Sequence, residues 1–213
     1  MQTVLATILA AAAAYLLGSV SFAVVVSKGL YHQDVRQFGS GNAGMTNILR
    51  TYGKKYAVMV GVGDFCKGVC AVFIGRLIFS LMGVTLFDAG YAAGAAALLG
   101  HLFPLYFGFK GGKGVLTGLG VVLTLSPLSF AIIVLLELPL LYFTRIVSLA
   151  SVTGAILYPI VTCVVHILQR RPFILDTVFS VALAGVVLYM HRANIKRLLS
   201  GTEYRFGQDK KKQ

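Results

Sequence analysis

Long apolar blocks separated by short polar islands run the length of the chain. The first extends from Met1 to Ser27 and meets its first charge at Lys28. Five blocks, residues 4–27, 56–80, 89–107, 146–168 and 173–191, match the roughly 17–25 residues that carry a helix across about 30 Å of hydrocarbon. The block 114–143 differs, because one helix of that length would run about 45 Å. Ser126-Pro127 interrupts it, and proline removes a backbone donor and clashes with the preceding turn. The pattern predicts two short helices there, 114–125 and 128–143, which either cross twice or form a re-entrant hairpin. Both arrangements return the chain to the side it left. Strands of a membrane barrel would alternate polar and apolar residues over short segments; these blocks are continuous. The expected fold is all-α and polytopic, a single membrane domain of seven transmembrane helices.

Composition strengthens this picture. The chain is 57% hydrophobic and 12% charged, with a mean hydropathy of +0.83, against about 25% charged in a soluble domain. A cleavable signal peptide would carry positive residues ahead of its apolar core. Here they follow it, which favours a retained first helix with its N-terminus outside. That choice puts 28–55, 108–113, 144–145 and the tail from 192 on the inner side, with 15 Lys and Arg against two, Arg170 and Arg171, outside. The positive-inside rule is satisfied and the C-terminus is cytoplasmic. Much of the net charge of +12 is therefore topology signal. The end from about residue 207, "QDKKKQ" included, reads as a flexible basic tail near anionic lipids. Nucleic-acid binding lacks a separate basic domain to carry it. Cys66, Cys70 and Cys163 read as small buried hydrophobes, with no disulfide or metal spacing.

The unusual polar clusters all fall on the inner side. In "GSGNAGMTNILR", residues 39–50, Gly41 and Gly44 let backbone N–H groups approach an anion. Ser40, Asn42, Thr46 and Asn47 add neutral donors, and Arg50 a fork that fits phosphate oxygens; a plain connecting turn is the alternative. In "GHLFPLYFGFKGGKGV", residues 100–115, Lys110 and Lys113 flank Gly111 and Gly112 just before a helix start at Gly114. The lysines and a helix N-terminus make a second anion site, unless the lysines simply snorkel at a membrane edge. Arg145, Ser148 and Ser151 in "TRIVSLASV" are spaced to share one face of the sixth helix. Serines so placed also aid helix packing. His191 and Asn194 stand three apart where the last helix leaves the membrane. Within the membrane, Asp64 and Lys67 at i and i+3 read as a mutual pair. Glu137, near Pro139, has no partner the sequence names.

Four anion-binding islands on one side point to a phosphate-bearing ligand. Enzymes that use CDP-activated lipids need clustered aspartates, whereas the inner segments hold Asp34, Glu203 and Asp209 alone. No histidine here is followed five positions on by an aspartate, the pairing of many acyl-CoA-dependent acyltransferases, and no H-E-x-x-H occurs. A transporter or channel for an organic phosphate suits broken helices and basic sites as well. A lipid-binding scaffold would leave the glycine-lysine islands unexplained.

Together "GSGNAGMTNILR", "DFCKG", "GHLFPLYFGFKGGKGV", "RIVSLAS" and "HRANIKRLLSGTEYRF" closely resemble the PlsY family, the bacterial membrane acyltransferases that use acyl phosphate and glycerol 3-phosphate. The matching text, with the similar "YLLGSVSFAVVVSK", runs in order from about Tyr15 to Phe206. The resemblance implies seven membrane helices in a bacterial cell membrane, an active site at the cytoplasmic face, and acyl transfer to the 1-hydroxyl of glycerol 3-phosphate. It carries phosphate binding to Ser40, Asn42, Thr46, Asn47 and Arg50, the basic glycine block to Lys110 and Lys113, and further polar contacts to Ser148, His191 and Asn194. A soluble enzyme that makes the acyl phosphate is an implied partner, and membrane lipids surround the spans. An acyl phosphate is already activated, so the scheme needs no covalent intermediate, metal or cofactor. The proton acceptor is either His191 or a substrate phosphate oxygen.

Overall fold

The protein is seen in a computed structural model that describes residues 1–170 and 172–207. Arg171 and the tail 208–213, with the expected flexible end and Lys210–Lys212, lie outside the described residues. Ten α-helices and two 3-10 turns occur among the described residues, and no strand. The chain divides into two compact units, Met1–Pro127 and Leu128–Gln213.

In the first unit, the apolar block expected as one span is two helices, α1 (Gln2–Gly18) and α2 (Phe22–Tyr31). They are separated at Ser19–Ser21, and Lys67 Nζ donates to the Val20 carbonyl at 2.7 Å. The break thus leaves a carbonyl that a buried cation uses. Ala6, Ala10, Ala14 and Gly18 recur every four residues on the buried face of α1. Lipid tails supply no hydrophobic drive between helices, so close backbone approach of such small residues carries the packing. At Gly18 a Cβ would overlap the Ala97 carbonyl, which shows how near α5 (Gly90–Leu102) lies. The opposite face of α1 exposes Leu5, Ile8, Leu9 and Leu16, as a lipid-facing surface does.

The unit also contains α3 (Met45–Tyr52), α4 (Lys54–Leu81) and α6 (Val115–Leu125). The block 89–107 is shorter in helix than expected. Its helix stops at Leu102, ahead of Pro104, and a 3-10 turn, Leu105–Phe107, follows. The interruption at Ser126-Pro127 is present. Pro127 begins α7 (Pro127–Thr144) in the first helical position, where its missing N–H costs nothing.

The second unit holds α7, α8 (Val147–Leu168), α9 (Ile174–Met190) and α10 (Arg192–Leu199). Glu137 of α7 has a partner the sequence did not name, accepting from Thr153 Oγ1 of α8 at 2.7 Å. Helices α9 and α10 meet at a 65° bend centred on His191. Among the described residues, four segments are long and apolar enough to cross a membrane: Gln2–Tyr31, Lys54–Leu81, Pro127–Thr144 and Val147–Leu168. The bent pair α9–α10 makes a fifth if it is one span. The cysteines are not in the core as expected: Cys66 and Cys70 are exposed on α4 and Cys163 is half-buried on α8.

Candidate active site

The polar segment after α2 is held in shape from inside. Asn47, fully buried in α3, donates from Nδ2 to the carbonyls of Val35 and Phe38, both at 3.0 Å. Its Oδ1 accepts the Ser40 N–H at 2.9 Å. The chain between these points turns through Gly39 and Gly41, at φ of 60° and 71°, a region that favours glycine. Gly44 then caps α3, and Thr46 and Arg50, four residues apart, share one face of that helix.

The glycine-lysine segment lies against this loop. Gly111 and Gly112 donate their N–H groups to the carbonyls of Leu102 and His101, at 3.1 and 3.2 Å, and so satisfy the end of α5. A Cβ at Gly112 would overlap both His101 Nε2 and the Ala43 carbonyl, so only glycine allows the two loops to meet there. Gly114, at φ 80°, starts α6. The two loops also line a cavity of about 310 Å³ with Asp34, Arg36, Gln37, Gly41, Lys110 and Gly111. Arg36 crosses between them, donating from Nη1 to the carbonyls of Phe107 and Lys110 at 2.6 and 3.0 Å. Its Nε and Nη2 pair with Asp34 at 2.9 and 2.7 Å. The hydrogen bonds from Arg36 hold the Asp34 carboxyl at a pKa of about 2.

Beneath the loops is a buried polar chain. Lys67 Nζ sits 2.9 Å from Asp64 Oδ1, and His101 Nδ1 3.5 Å from the same oxygen. Thr117 Oγ1 of α6 stands 3.3 Å from His101 Nδ1. Together with the bond from Lys67 to Val20 O, this chain links the α1–α2 break, α4, α5 and α6.

In the second unit, His191 is buried at the α9–α10 bend, with Nδ1 2.8 Å from the Val187 carbonyl. A carbonyl can only accept, so Nδ1 carries the hydrogen and a neutral ring has its lone pair on Nε2. Asn194 donates from Nδ2 to Glu203 Oε1 at 3.0 Å, and Arg197 Nε donates to Glu203 Oε2 at 2.9 Å. Ser148 lies in the first turn of α8, its Oγ buried without a hydrogen-bond partner among the described residues.

A family model described as glycerol-3-phosphate acyltransferase matches residues 8–201. The chain belongs to the glycerol-3-phosphate acyltransferase family. A glycerol-3-phosphate acyltransferase of Neisseria meningitidis serogroup B is 42% identical over 199 residues, covering 93% of this chain and 96% of that relative. A crystal structure of PlsY, an integral membrane glycerol 3-phosphate acyltransferase in its glycerol 3-phosphate form, has a TM-score of 0.81 and 39% identity. It spans 94% of this chain and 96% of its own. The lysophosphatidic acid form of PlsY gives a TM-score of 0.78 at 37% identity, with 94% of this chain and 95% of that one covered. The chain is thus an enzyme of an integral membrane family, which leaves the transporter and scaffold readings without support.

The structure uses the expected site residues in different ways. Thr46 and Arg50 share a helix face, Lys110 is exposed beside the cavity, and Lys113 is half-buried before α6. Ser40, Gly41 and Asn42 stay on the accessible side of their loop. Asn47, Gly111 and Gly112 instead use their amides to build the loops, and Ser40, Gly41 and Gly44 donate their N–H groups internally. Arg145 does not share a helical face with Ser148 and Ser151. It stands outside α8 at φ 57°, and its carbonyl accepts the Phe206 N–H at 2.9 Å. Ser151 donates back to Val147 O at 2.9 Å, an ordinary helix contact. Sequence reading passed over Arg36, His101, Thr117 and Glu203. Asp34 and Arg36 stand two apart just ahead of the glycine loop, and that charge pair was the available signal; the other contacts join residues distant in sequence.

Proposed function

We propose that this enzyme moves a fatty acyl group from acyl phosphate to the 1-hydroxyl of glycerol 3-phosphate, giving 1-acylglycerol 3-phosphate and inorganic phosphate. The observation that carries the reading is the meeting of the two glycine-rich loops, at Ala43 and Gly112 and through Arg36, beside Lys110. PlsY itself is known in glycerol 3-phosphate and lysophosphatidic acid forms, a substrate and a product of such a reaction.

The glycerol oxygen attacks the acyl carbonyl carbon, an ester C–O bond forms, the acyl-to-phosphate C–O bond breaks, and phosphate leaves. Holding the hydroxyl against the carbonyl supplies several kcal/mol by orientation. Ser40, Asn42, Thr46, Arg50 and Lys113 bind phosphate oxygens, and Lys110 stabilises the developing negative charge. Ser148 and Asn194 are further polar contacts, and a buried serine hydroxyl without a partner suits a ligand's oxygen. Two acceptors are proposed for the hydroxyl proton. His191 Nε2 is one, supported by the Nδ1 contact with Val187 O; an oxygen of a substrate phosphate is the other. Turnover of His191→Ala near the wild-type kcat, with only a raised KM, would favour the phosphate.

The chain would cross a bacterial cell membrane seven times, N-terminus outside, with every site loop at the cytoplasmic face where the basic residues concentrate. A soluble enzyme would supply the acyl phosphate. Donor choice tests the chemistry. Purified protein offered glycerol 3-phosphate with acyl phosphate, acyl-CoA or acylated carrier protein should form product with acyl phosphate alone. Equal rates from acyl-CoA would sink the proposal.

A further inference from the structure

Phe109 adopts φ 58° directly after Gly108 at φ 67°, so two left-handed residues precede Lys110. Such a conformation is an outlier for a bulky side chain and persists only where its surroundings hold it. The Phe109 ring is largely exposed and does not anchor the turn. Its N–H donates to Pro104 O at 3.0 Å, which fixes one end. The carbonyls on either side of the left-handed pair, Phe107 O and Lys110 O, both point at one group, Arg36 Nη1.

We infer that Arg36 is a positioning residue: its guanidinium staples the two carbonyls that flank Gly108-Phe109 and thereby aims Lys110 at the reacting phosphate. The inference rests on the role of Lys110 proposed above. The fork is itself set by Asp34, whose two oxygens take Arg36 Nε and Nη2, while Oδ1 also accepts the Arg36 N–H at 3.0 Å. Lys28 Nζ also lies 3.4 Å from Asp34 Oδ2, so two cations share the one carboxylate. A planar group with five donors can make the bidentate pair and both carbonyl bonds together. A lysine ammonium has three donors without the fork, so it keeps charge but not this geometry.

The test is a double-mutant cycle with hydrogen exchange, on full-length protein in detergent. Arg36→Lys should lower kcat at least tenfold. It should also speed amide exchange at Phe109–Gly111 at least tenfold, with exchange in α4 unchanged as the folding control. Combining it with Lys110→Ala should cost no more than threefold beyond Lys110→Ala alone, because the staple acts through Lys110. Multiplying losses, wild-type kcat in Arg36→Lys, or unchanged exchange at Phe109–Gly111 would each overturn the inference. Wild-type turnover by Lys110→Ala would remove the role of Lys110 and the inference with it. The exchange measurement separates that outcome from failure of the staple, since it does not depend on activity.

Discussion

Ser40 donates its N–H to Asn47 Oδ1 at 2.9 Å, while the same side chain donates to Val35 O and Phe38 O. Asn47 is therefore a three-point template for the loop that presents Ser40. Asn47→Asp keeps an acceptor for Ser40 but turns the two donors into an acceptor facing two carbonyls. An unsatisfied buried group costs about 1–3 kcal/mol. Thermal unfolding in detergent should show that loss, and kcat/KM should fall at least tenfold. An unchanged unfolding temperature would mean Asn47 does not shape the loop.

The Asp64–Lys67 pair is buried at both ends, at 3% and 1% side-chain exposure. Removing one partner of a buried pair strands the other charge, at a cost of about 3–5 kcal/mol. Asp64→Asn should destabilise strongly, and adding Lys67→Met should recover part of the loss. Unfolding midpoints of the single and double variants check this; additive losses would contradict it.

Ser148→Ala separates binding from folding. Among the described residues the buried hydroxyl has no hydrogen-bond partner, so its removal should leave the unfolding midpoint unchanged or slightly higher. Turnover should nevertheless fall about tenfold, a transition-state loss of roughly 1.4 kcal/mol. A stability loss with normal kinetics would make Ser148 a packing residue.

Asp34 is held at about pKa 2, below its ordinary 3.8. A depressed carboxyl stabilises the fold fully above 3.8, and that contribution is lost as pH falls through about 2. The Asp34–Arg36 pair should therefore be intact throughout pH 5–8, and Asp34→Asn should lower activity by the same factor at both ends. A loss confined to the acid end of that range, read from pH-rate profiles, would contradict it.

The helical blocks, the break at Ser126-Pro127 and the Asp64–Lys67 pair were legible because each is written in local spacing. The division at Ser19–Ser21 was not, since Lys67, 47 residues away, takes the Val20 carbonyl. The polar islands were legible by composition, but not how each amide is used. Asn47 and Gly112 looked like ligand donors because their geometry depends on partners at Val35 and His101. Arg145 failed the spacing argument because α8 begins at Val147, after a left-handed residue that composition does not mark.

The most direct test is phosphate release by the purified protein from acyl phosphate, with and without glycerol 3-phosphate, in the absence of acyl-CoA. The account predicts release that depends on glycerol 3-phosphate, with 1-acylglycerol 3-phosphate formed in equal amount. Silence from folded protein that still binds glycerol 3-phosphate, or release without acylated product, would contradict it.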